Sequence, residues 1–132
     1  MNTSTQIRKD IVHPQLSFDV MGVLFHVQKE LGYGHKERYY EHAVAVGLTK
    51  KGLKFQRQLR APLIFEGKEI GYYIFDFLIE GKIILELKQG ALFTKKNIDQ
   101  VLAYLETTDL QLGILAQFTP DGVKYKRIVN IR

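Results

Sequence analysis

The segment from Tyr72 to Gly90, YYIFDFLIEGKIILELKQG, constrains this chain more than any other. Two runs of strand-forming residues flank Glu80-Gly81-Lys82, a combination that predicts a β-hairpin. With those three residues as the loop, Phe77 faces Leu85, Leu78 faces Ile84 and Asp76 faces Glu86. Side chains alternate between the two faces of a strand. One face then carries Phe75, Phe77, Ile79, Ile83, Leu85 and Leu87, wholly apolar and in need of a covering helix. The other carries Asp76, Leu78, Ile84, Glu86 and Lys88.

The rest of the chain supplies the helices. Leu16, Val20, Val23, Leu24, Val27 and Leu31 recur at three- and four-residue steps, which predicts an amphipathic helix over 16–31 stopped by Gly32. A second helix is expected over 36–50, with Tyr40, Ala43, Val44 and Leu48 inward and Gly52 as its end. Beyond Gly52 the apolar period falls to two from Phe55 to Leu63, a strand that Glu66-Gly67-Lys68 turns into the next one at 70–79. The third strand is 83–88. Thr94 reads as the N-cap of a helix to Glu106, with Ile98, Val101, Leu102 and Leu105 as its apolar stripe. Strands at 112–116 and 123–131, joined at Pro120-Asp121-Gly122, complete the order ααβββαββ. This is an α/β (α+β) domain, with 55–88 as an antiparallel meander.

Composition narrows the class further. A chain of 132 residues without repeat or linker reads as one domain, 1–132. Its first 13 residues, polar apart from Ile7, Ile11 and Val12, are expected to be loosely ordered. The absence of cysteine excludes disulfides, thiolate zinc sites and a cysteine nucleophile. His13, His26, His35 and His42 show no zinc-ligand spacing, and His26 is expected to be partly buried. No apolar run approaches the roughly 20 residues of a membrane span, so the expected partner is no membrane and the expected location is cytoplasmic. The net charge is +5, and Lys50, Lys51, Lys54, Arg57 and Arg60 crowd a stretch without acids between His42 and Glu66. Such a cluster suits contact with a nucleic-acid backbone. Alternation sends Arg57 and Arg60 to opposite faces, so only part of the cluster can front the hairpin acids.

Two carboxylates opposed on a hairpin lie about 5 Å apart at Cβ and repel. A divalent cation held between them removes that cost, since Mg²⁺ takes one or two carboxylates, a carbonyl and waters. A salt bridge from Lys88 to the pair is the other way to remove it.

Asp76, then nine residues, then Glu86-Leu87-Lys88 across a hairpin resembles the signature of the PD-(D/E)XK nuclease superfamily. Within it the chain is similar to the GxxExxY branch, through Gly34-His35-Lys36-Glu37-Arg38-Tyr39-Tyr40 inside LGYGHKERYYEHAV, and through GLKFQRQ, FDFLIEGKIILELK and QVLAYLETTDLQLGILAQF. The resemblance implies a restriction-endonuclease-like core, a mixed central sheet flanked by helices. It implies that Asp76, Glu86 and the Leu87 carbonyl hold Mg²⁺ or Mn²⁺. Lys88 would then orient or deprotonate the attacking water or neutralise developing charge, and Glu37 matches an acid beside the metal. Gln100 and Tyr104 resemble a Gln-x-x-x-Tyr element that meets the substrate backbone, while Tyr104 is equally explained by helix packing. Departures from the family pattern are Phe75 in place of proline, Gln89-Gly90 after the lysine, and Asn97 where the branch often has histidine.

The implied activity is metal-dependent hydrolysis of phosphodiester bonds in nucleic acid, DNA before RNA. The basic residues Lys54, Arg57 and Arg60 would track the backbone, and a homodimer or partner protein would supply specificity. A nucleic-acid-binding or protein-interaction module that keeps the fold without turnover is the alternative.

Overall fold

The computed structural model describes residues 12–88 and 93–131. Helices α1 (Pro14–Leu31) and α2 (Glu37–Lys50) precede strands β1 (Phe55–Phe65), β2 (Lys68–Ile79) and β3 (Ile83–Lys88). Helix α3 (Lys95–Thr108) and strands β4 (Leu112–Thr119) and β5 (Gly122–Val129) follow. The order is the expected one, and the five strands form one sheet in the order β1-β2-β3-β4-β5. All neighbours are antiparallel except β3 and β4, which run parallel because α3 carries the chain back across the sheet. The sheet is therefore mixed, with helices on both faces, the architecture expected of a restriction-endonuclease-like core.

Strand β3 occupies the centre, and its sequence shows why: Ile83, Ile84, Leu85 and Leu87 are buried, so the strand is apolar on both faces. Val20, Val23 and Leu24 of α1 and Tyr40, Val44 and Leu48 of α2 pack on Phe77, Ile79, Ile83, Leu85 and Leu87. On the other face Val101 and Leu105 of α3 pack on Ile84, Leu115, Ala61 and Phe75. Gly113 lets α3 approach: a Cβ there would lie 2.4 Å from Val101 Cγ1.

The turns follow the sequence closely. Phe65 pairs with Lys68, leaving Glu66 and Gly67 as a two-residue loop with φ of 53° and 76°. Ile79 pairs with Ile83 around Glu80-Gly81-Lys82, which is the predicted three-residue loop. Thr94 caps α3 as expected, and Asn97 completes the cap: Asn97 N–H donates to Thr94 Oγ1 at 3.1 Å, and Thr94 N–H donates to Asn97 Oδ1 at 3.3 Å.

Val12 packs against the α1–α2 cluster and accepts a hydrogen bond from Arg127 Nη2 at 2.9 Å; the rest of the N-terminal segment up to residue 11, and Gln89-Gly90, lie outside the described residues. Two expectations are corrected. His26 is exposed, because Phe25 beside it also turns outward, 49% exposed, and meets Tyr125. Phe75 does not share a face with Phe77. Arg57 opposes Phe77 and Leu59 opposes Phe75, but no ladder pair joins Gln58 to Asp76 between them. Gln58 has φ 53° in the left-handed region, and the β1–β2 ribbon turns over at this point. Phe77 consequently faces α1 and α2, whereas Phe75 faces α3 and meets Tyr104 at 5.3 Å between ring centroids. From Leu59 outward the ribbon continues as an arm past the end of β3.

Candidate metal and nucleic-acid site

The ribbon turns over where the two acids sit. The β2–β3 ladder ends at Phe77 and Leu85. One residue further, side chains take over from the backbone: Asp76 N–H donates to Glu86 Oε1 at 2.9 Å, and Leu87 N–H donates to Asp76 Oδ2 at 2.7 Å. Each carboxyl thus satisfies an N–H of the opposite strand. Strand β2, released from the backbone ladder, is free to twist. The expected facing of Asp76 and Glu86 is reached, through crossed side-chain bonds instead of a ladder pair.

Electrostatics around this pair are severe. Burial and the neighbouring Asp76 charge push the Glu86 carboxyl up to about 8, against the pull of the Asp76 N–H and Lys88. Burial also raises Asp76, although the Leu87 N–H, a hydrogen bond from Glu86 and the Lys88 charge oppose it. Lys88 Nζ stands 3.6 Å from Glu86 Oε2.

Helix α2 brings two more acids. Gly34, at φ 105°, turns the chain after α1. Tyr40 then anchors this turn: its hydroxyl donates to Gly32 O at 2.5 Å and accepts from His35 N–H at 3.3 Å, and its ring stacks on Phe118. The anchored turn sets Glu37 at the start of α2, exposed along its length but with its carboxyl raised by partial burial and by the Asp76 charge. Glu41, one helical turn on, adds its charge to both Asp76 and Glu37. It accepts from Arg57 Nη2 at 3.1 Å and from Gln58 Nε2 at 2.8 Å, so α2 grips β1 at the residue where the ribbon turns over. Sequence reasoning missed Glu41 and Gln58; the available signal was the four-residue spacing of Glu37 and Glu41, which puts them on one helix face.

The structure therefore gathers Asp76, Glu86, Lys88 and Glu37, with Arg57 beside them through Glu41. It does not gather the rest. Lys54 sits at the β2–β3 turn, its backbone N–H donating to Glu80 Oε2. Arg60 is paired with Glu69 and lies over the Tyr72 ring at 4.3 Å. Leu59 and Ala61 face α3, so Arg60 points away from it, to the side on which Arg57 meets α2, and not opposite Arg57 as expected. Gln100 and Tyr104 line a separate cleft of about 350 Å³ with residues 61–64 and Tyr73.

Spacing, fold and buried acids now stand together with a direct comparison. The family profile of the PD-(D/E)XK nuclease superfamily matches residues 14–128. The chain belongs to the PD-(D/E)XK nuclease superfamily. The match covers every element from α1 into β5. A solved structure titled "Crystal structure of SSO0001" is similar over 89% of this chain and 78% of that one, with 16% identity and a TM-score of 0.47. No curated protein matches.

Superfamily members use divalent metals, and the donor set here fits one. One oxygen of each carboxyl is committed to a backbone N–H, leaving Asp76 Oδ1 and Glu86 Oε2, the latter 3.6 Å from Lys88 Nζ, as the oxygens that could face an ion. Among the described residues no group of three or more His, Asp or Glu side chains is placed to hold a metal. A hard ion that retains several waters suits two carboxylates. No helix among the described residues is long and apolar enough to cross a membrane.

Proposed function

We propose that this chain is one nuclease-like domain of the GxxExxY branch that hydrolyses phosphodiester bonds in nucleic acid, DNA before RNA, with Mg²⁺ or Mn²⁺. The observation that supports it most is the pair of crossed, desolvated carboxyls, Asp76 and Glu86, beside Lys88 and Glu37. Asp76, Glu86 and the Leu87 carbonyl would hold the ion, which supplies Lewis acidity toward a phosphate oxygen and acidifies its bound water. Lys88 neutralises charge that develops on the phosphoryl oxygens, the role a preorganised cation fills best in a site shielded from water. Glu37 orients the attacking water from the end of α2. Glu41 is a positioning residue, holding Gln58 and Arg57 and hence the strand pair that carries Asp76. Gln100 and Tyr104 meet the substrate at their own cleft. Lys54 and Arg60, held at a turn and by Glu69, are given no part.

Incubation with Mg²⁺ or Mn²⁺ and single-stranded, duplex and branched DNA and RNA tests this reading. Cleavage is expected, falling about 10²–10³-fold in Lys88→Ala, the range for removing one preorganised transition-state donor, and at least as far in Glu86→Ala, which removes a ligand of the ion. Calorimetry should show Mn²⁺ binding that Asp76→Asn removes. Metal binding without cleavage of any substrate would favour the non-catalytic module, and variants that cleave like the wild type would sink the assignment of the site.

A further inference from the structure

Helix α2 sorts its charges by face. Glu37 and Glu41, four residues apart, form one strip toward the hairpin acids, and Arg38 and His42, also four apart, form the next. That second strip borders a cleft of about 590 Å³ between α2, the end of α1 and β1, lined by His35, Arg38, Tyr39, His42, Arg57 and two aliphatic residues. No carboxylate is among its lining residues. Apart from Arg57, the proposed chemistry leaves this cleft unused.

Arg57 joins the cleft to the acids. Its Nη2 donates to Glu41 Oε1 at 3.1 Å, and the Glu41 charge reaches Asp76. A guanidinium has five N–H donors, so this one bond leaves others for the cleft. Arg38 is exposed and pairs with no carboxylate among the described residues; its guanidinium lies 5.2 Å from the Tyr39 ring centroid. Tyr39 is 48% exposed, and His42 is exposed too. His35 is committed elsewhere, its ring nitrogen to Leu31 O at 2.9 Å, so it serves as wall.

Two guanidiniums suit the oxygens of a phosphate, and an exposed phenol ring is a platform on which any base can stack. A phosphate with a base attached is a nucleotide, and the cleft volume lies in the range that takes one small organic group, not a double helix. Bases inside a duplex are stacked on their neighbours and cannot reach Tyr39. We propose that the cleft receives one unpaired nucleotide of the strand next to the bond that is cut, a placement that rests on the acids being the cleavage site. Arg38 and Arg57 hold its phosphate, His42 donates a further hydrogen bond to it, and Tyr39 stacks on its base. The substrate class is then a single strand, or a duplex with an unpaired end.

Fluorescence anisotropy of a labelled 12-nucleotide DNA strand with the full chain in EDTA reads binding without cleavage. The single strand is expected to bind at least about fivefold more tightly than the same sequence as a blunt duplex. Arg38→Ala and Tyr39→Ala, both at exposed positions, should each weaken it about tenfold with circular dichroism unchanged. Arg38→Ala should also lower the slope of log affinity against log salt by about 0.7, one phosphate contact on a single strand, while Tyr39→Ala leaves the slope alone. Lys126→Ala, which removes the same charge from the opposite sheet edge, should weaken binding less than about twofold. Variants that bind as the wild type does, or a loss matched by Lys126→Ala, overturn the inference. So does a blunt duplex bound as tightly as the strand, or adenosine monophosphate that displaces the strand at equal concentration, which would give the cleft to free nucleotides. A wild type that binds neither strand nor duplex sinks the nuclease reading as well; one that binds with Arg38 and Tyr39 idle sinks only the cleft.

Discussion

Glu86 gathers burial, the Asp76 carboxyl, the Asp76 N–H and the Lys88 ammonium. Because its folded pKa of about 8 lies above the ordinary 4.5, the folded chain holds a proton that the unfolded chain releases. Stability from this group is therefore complete below the ordinary value and is lost as pH rises through the folded one. Asp76 and Glu37, both raised, act in the same direction. The melting temperature of metal-free protein should fall between about pH 5 and 8.5, and Glu86→Gln should remove most of the fall; an unchanged slope in that variant would contradict the assignment. Asp76, Glu86 and Lys88 could be read from hairpin spacing because a hairpin fixes which residues are opposed. Glu41 could not, since an acid on a helix surface is commonplace and only packing brings it to Gln58.

At the scale of elements, local signals carried far. Thr94 was legible as a cap from its place before an apolar period, and Asn97 proves to close the cap. The overturned ribbon was not legible, because alternation predicts faces only while the backbone ladder runs on, and at Asp76 side chains replace it. Gly113 shows the same dependence on neighbours: nothing beside it in sequence demands glycine, but Val101 of α3 occupies the space a methyl would need. Gly113→Ala should cost about 1–3 kcal/mol in urea unfolding, the range for overpacking a filled interior. A cost near zero would mean that α3 can slide on the sheet.

For the whole molecule, the two apolar clusters lie on opposite faces of one sheet, and adjacent residues of β3 tie them, Leu85 to one and Ile84 to the other. One cooperative unit is the expected outcome. Leu24→Ala under α1 and Leu105→Ala under α3 should each remove about 2–5 kcal/mol, and helix and tyrosine signals should still report one coincident urea transition. Separate transitions would divide the chain in two. The sequence by itself determined the elements, their order, the hairpin register and the acids that face each other, because these depend on periodicity, turn chemistry and spacing within a few residues. Only the tertiary structure decided that β3 and β4 run parallel and that the ribbon turns over at Asp76. It also decided that α2 brings Glu37 and Glu41 to the acids, and that Lys54 and Arg60 stay away from them. Each of these depends on which surfaces α1, α2 and α3 bury, a choice made among residues far apart in the chain.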